Sequence, residues 1–109
     1  MTIIDKKFGA ELVSTKGKIF KFDDLVCMVE YLNDGLISEN DISKKLVIDH
    51  QTENNFIEVE KATFFVSNEL HSPMNGNAAA FINQAAALKY QDDKQGLIMD
   101  WNQVYNKLK

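Results

Sequence analysis

Five side chains in this sequence carry sulfur: Met1, Cys27, Met28, Met74 and Met99. Thioethers and thiolates are soft donors. They favour copper(I), which takes roughly two to four of them without strict geometry. Most methionines only fill cores, so each is weighed by its neighbours. Met28 falls on an apolar helical stripe and Met99 in an apolar strand, and both read as core. Cys27 lies roughly opposite that stripe, nearer Glu30 and Tyr31, and is either partly accessible or packed against a second layer. Met74 follows the only proline, in Ser72-Pro73-Met74-Asn75-Gly76-Asn77, where every neighbour is a turn former. Proline restricts the backbone there. Met74 is therefore either a thioether held out in one place or an apolar plug tucked under its loop.

Other chemistry is poorly supplied. The only histidines, His50 and His71, read as surface or strand-end residues rather than catalytic bases. There is no Gly-x-Ser-x-Gly, no glycine-rich phosphate loop and no His-Glu-x-x-His. The paired carboxylates Asp23 and Asp24 are explained by helix capping. A single cysteine allows neither an internal disulfide nor a cysteine-rich zinc site. Thiol catalysis at Cys27 needs a second thiol or a poised acid, and neither is evident.

The 109 residues suffice for one domain, and 45% apolar content gives it a core. Twelve basic against 16 acidic residues, net charge −4, argue against nucleic-acid binding, which needs a basic face. No apolar run approaches the ~20 residues that span a bilayer. The opening Met-Thr-Ile-Ile-Asp lacks the basic and then apolar stretch of a signal peptide.

These residues must be positioned by a small α+β fold. Phe8 to Thr15 and Ile19 to Phe22 read as strands around a Lys16-Gly17-Lys18 turn. Asp23 is the expected N-cap of a helix to about Leu32, with Leu25, Met28, Val29 and Leu32 on one stripe. Asn33-Asp34-Gly35 stops it. Leu36 to Ser43 reads as a polar connection, and Leu46-Val47-Ile48 as a short central strand. Phe56 to Glu60 is a short strand or an extended lead-in. Ala62 to Ser67 is a strand, 68–77 a loop and Ala78 to Ile82 a strand. Asn83 caps an alanine-rich helix to about Tyr90, Leu97-Ile98-Met99 is a strand, and Asp100 caps a short C-terminal helix.

The halves share this grammar. Lys-Phe-Asp-Asp precedes the first helix and Ala-Phe-Ile-Asn the second, which aligns Tyr31 with Tyr90. Both helices run out at acidic stops, Asn33-Asp34 and Asp92-Asp93. The expectation is one domain over residues 1–109 built from two similar strand–strand–helix–strand units, at about 8–50 and 56–100. Neither unit buries both faces of its own sheet, and pairing them does.

At this point the sequence resembles the NosL family, accessory proteins associated with assembly of the nitrous-oxide reductase copper centre. The opening Met1 to Glu11 is similar to the family's start. Lys16-Gly17-Lys18 with Phe22 to Met28 resembles its second strand and helix start. Lys61-Ala62 with Phe65-Val66 resembles the strand before its Pro-Met loop, and Gly96 with the next strand fits its closing segment. Ser72-Pro73-Met74 with Asn75-Gly76 and Ala80-Phe81 is the most specific match.

The resemblance implies a protein that delivers copper(I) and is not an enzyme. Its ligands would come from a Cys-x-Met motif near the start and from the Pro-Met loop. Carried over, these are Met1 and Met74, with Cys27 and His71 as weaker candidates. No cysteine stands before Met1 in this sequence, so the thiolate is expected upstream, and copper(I) weakly bound or absent without it. The resemblance further implies a periplasmic location, a lipid anchor upstream as the only membrane attachment, and an apo copper enzyme or its assembly machinery as partner. The alternative is a protein-interaction module on the same fold that uses no metal.

Overall fold

Alternating apolar residues make the first hairpin. The computed structural model describes residues 8–52, 55–72, 74–92 and 94–109. β1 (Ala10–Ser14) and β2 (Ile19–Phe22) pair antiparallel, with Ala10 opposite Phe22 and Leu12 opposite Phe20. After α1 (Leu25–Asn33), β3 (Ile42–Ile48) returns along the other side of β1, and β4 (Phe56–Glu58) closes that edge. The first sheet thus has the order β2-β1-β3-β4. β5 (Thr63–Val66), β6 (Ala78–Phe81), α2 (Gln84–Gln91) and β7 (Leu97–Met99) follow, and α3 (Trp101–Leu108) ends the chain. Their sheet has the order β6-β5-β7, all antiparallel. The chain is α+β, with a short C-terminal helix as expected.

Both sheets are wired alike. In each, the first strand of a hairpin lies between its partner and the strand that follows the helix. Phe22 contacts Tyr31 and Phe81 contacts Tyr90, at centroid distances of 5.6 and 5.1 Å, so the aligned tyrosines do the same job. Phe56–Glu58, near the start of the expected second unit, pairs instead with β3 in the first sheet. The sheets meet where Asp49 bridges Ala80 and the His50 amide donates to the Ala80 carbonyl at 2.8 Å.

β3 starts earlier than its sequence suggests, directly after a 3₁₀ turn at Glu39–Asp41. Its first half carries Ser43 and Lys44 on exposed positions, and such polar residues hide a strand from a hydrophobicity reading.

Helix ends follow local chemistry. Gly35, at φ 70°, stops α1: its amide donates to the Leu32 carbonyl and the Leu36 amide reaches back to Tyr31. That is the paired hydrogen-bond stop in which a left-handed residue favours glycine. Asn83 caps α2 by accepting from the Ala86 amide at 2.9 Å. Asp100 and Gln103 cap α3 reciprocally.

The main core joins both sheets to α1 and α3. Leu12, Met28, Val29, Phe64 and Val104 are buried in it. The adjacent Phe65 points to the opposite face of β5, where it packs with Phe8, Leu70, Phe81 and Ala87 beneath α2. Successive strand side chains alternate faces, so the two neighbouring phenylalanines anchor separate layers. No helix among the described residues is long and apolar enough to cross a membrane.

Candidate metal-binding loop

Two hairpins of like topology differ in their connections. β1 and β2 are joined by a tight turn, whereas residues 67–77 separate β5 from β6. Such a long connection in a compact domain is where function concentrates. Its base is closed by the Ser67 amide donating to the Asn77 carbonyl at 3.1 Å, and by the Ser67 hydroxyl donating to the Gln95 carbonyl. Leu70 turns inward and fills the layer under α2. The plug of this loop is therefore Leu70, and Met74 stands 57% exposed.

The tip curls around one side chain. Asn75 and Asn77 adopt φ of 64° and 54°, the left-handed region that asparagine tolerates better than most residues. The Asn75 amide donates to the Ser72 carbonyl at 3.1 Å, and the Asn77 amide donates to Ser72 Oγ at 2.8 Å. The Asn77 side-chain oxygen accepts from the Ser72 amide at 3.2 Å. The inward-facing donors then converge on Asp24. Its Oδ2 accepts from Ser72 Oγ at 2.5 Å, the Met74 amide at 2.9 Å and the Gly76 amide at 3.2 Å. Its Oδ1 accepts from the Val26 amide at 3.1 Å.

Asp24, not Asp23, is thus the cap of α1. The buried apolar stripe begins at Leu25, which puts the half-extended capping residue at 24, with φ −146° and ψ 141°. Asp23 instead lies 3.9 Å from the Cys27 thiol, which donates to it. Neither Asp24's link to the loop nor the part played by Ser72, Gly76 and Asn77 was read from the sequence. The only local signal is a second acid where one cap suffices.

The expected ligands are placed unequally. Met1 and Pro73 lie outside the described residues, as does Asp93 of the second acidic stop. Met28 is core, and Met99 is half-buried against it. His71 is exposed beside Ser72. His50 is half-buried with its ring against Phe8, Phe81 and Tyr90. Among the described residues no three His, Cys, Asp or Glu side chains gather as a metal-holding group. The donor that the described loop exposes is the Met74 thioether, which suits a soft ion.

Cys27 shares α1 with the anchor of the Met74 loop but is half-buried, packed against the main core. Burial, then the carboxylates of Asp23, Asp24 and Glu30, push its pKa from 9.0 to about 11. The thiolate is the nucleophile, so Cys27 is a poor nucleophile near neutral pH. Its alkylation at pH 7.5 is expected to run about 100-fold slower than that of an unfolded-chain thiol, rising with pH until about 11. Because the folded pKa is raised, stability is unaffected below pH 9 and falls as pH rises from 9 to about 11, a slope that Cys27→Ser removes. Rapid iodoacetamide labelling at neutral pH contradicts this.

Fold and loop together define a class: a two-sheet α+β scaffold that presents one thioether from an anchored loop. The model of the NosL family matches residues 2–108, and the chain belongs to that family. Among solved structures, it is similar to the crystal structure of the copper chaperone NosL from Shewanella denitrificans. That match has a TM-score of 0.72 and 17% identity over 86% of this chain and 75% of that one. At this identity the likeness bears on the fold. A search of the curated proteins found no match.

Proposed function

We propose that this chain is a copper(I)-handling accessory protein, not an enzyme, with Met74 as one ligand for its cargo. The observation that carries the reading is the exposed Met74 thioether on a loop tied down from inside. An exposed apolar side chain is ordinary, but this one sits where the backbone on both sides is held. Membership of the NosL family and a fold like that of a copper chaperone support the same reading. The second ligand is Met1, joined by a thiolate upstream of it, and the cargo goes to a copper enzyme such as nitrous-oxide reductase. The place of work is the periplasmic face of a bacterial membrane, with a lipid anchor.

Titrating copper(I) anaerobically into protein extended to a Cys-x-Met motif at Met1, and labelled with ¹³C at the methionine methyls, tests the site. The Met74 methyl should shift while Met28 and Met99 stay in place, because Met28 is buried in the core and Met99 packs half-buried against it. Shifts confined to Met28 or Met99 would refute the assignment. No response from any methyl would favour a loop that holds a partner protein without metal.

A further inference from the structure

We infer that Asp24 is a positioning residue for Met74: the loop is a concave nest of donors whose resident anion is a carboxylate from another part of the chain. This rests on Met74 being a ligand, as proposed above. Backbone amides turned inward by left-handed residues form such anion-holding concavities. Here Asn75 and Asn77 supply the curl, and the Met74 and Gly76 amides and the Ser72 hydroxyl supply the donors. The anion that fills the concavity is Asp24, fully buried and 48 to 52 residues away in sequence.

Three details suit positioning better than mere bracing. The Met74 amide itself is a donor, so its Cα is fixed against the start of α1 while its side chain faces solvent. The same carboxylate caps α1 through Val26, so the loop is fixed to a rigid helix and not to another loop. Gly76 lets the backbone come this close: a Cβ there would lie 2.4 Å from Asp24 Oδ1 and 2.9 Å from Val26 Cβ. Sulfur ligation gains when the donor is already placed, since less freedom is lost on binding.

The test compares Asp24→Asn and Ser72→Ala with the parent, at a temperature where circular dichroism shows each folded. Copper(I) affinity is read by competition with a chromogenic chelator, and Met74 order by the linewidth and shift of its ¹³C-methyl signal before metal is added. Asp24→Asn should weaken copper(I) binding about 10–100-fold, the usual range for partners that orient metal ligands. It should also move the Met74 methyl toward its unfolded-chain position. Ser72→Ala should do the same to a smaller degree, and it decides the matter if Asp24→Asn does not fold. On a Met74→Ala background, Asp24→Asn should have no further effect on affinity, whereas a general structural role would lower both backgrounds alike. Folded variants with parental affinity and an unmoved Met74 methyl overturn the inference and leave the proposed function standing. Parental affinity in Met74→Ala removes both.

Discussion

Asp24→Ala is expected to cost about 3–5 kcal/mol of stability, the largest effect of any polar substitution among the described residues. The carboxylate is fully buried and accepts from four donors. Loss of an N-cap alone costs about 1 kcal/mol. The remaining donors belong to the loop, and each one left buried without a partner costs about 1–3 kcal/mol. The sum is limited because a freed loop can turn some of them to water. For a domain of this size the change corresponds to a fall in Tm of roughly 15–25 °C. Asp100 sets the scale: it is an exposed cap at α3, so Asp100→Ala should cost only about 1 kcal/mol. Equal losses for the two variants, by urea or thermal unfolding, would mean that the loop contacts add nothing to the cap.

Met74→Ala is expected to do the reverse. An exposed side chain contributes little to folding, so stability should change by no more than about 0.5 kcal/mol. Copper(I) affinity should fall by more than about 100-fold, since losing a ligand exceeds the 10–100-fold cost of losing a group that merely orients one. The contrast separates the two residues. Asp24 holds the loop, and the loop presents the exposed Met74. Met99→Ala, at a half-buried position against the main core, should lower stability without a comparable loss of affinity.

Much of this architecture is local and therefore legible in the residues. Asn83 and Asp100 stand immediately before their helices, and cap chemistry depends only on the next three positions. Leu25, Met28 and Val29 mark a stripe that the helix buries as its spacing requires. The turn formers around Met74 correctly describe a surface loop. What escaped is non-local. Nothing near Asp24 in sequence shows that Ser72, Met74 and Gly76 will donate to it, and local signals alone point to Asp23 as the cap. Leu70 reads as one more loop residue until α2 is folded over it. The pairing of Phe56–Glu58 with β3 depends on where a neighbouring sheet ends, which no short window reveals. The start of β3 is masked by the exposed polar residues Ser43 and Lys44.

The central claim is that Met74 ligates copper(I), and its most direct test is a competition titration of parent and Met74→Ala against a copper(I) chelator under anaerobic, reducing conditions. With a Cys-x-Met motif completed ahead of Met1 in both proteins, and both shown to be equally folded, the parent should withdraw copper(I) from the chelator and Met74→Ala should fail to do so at the same concentrations. Indistinguishable curves would contradict the account.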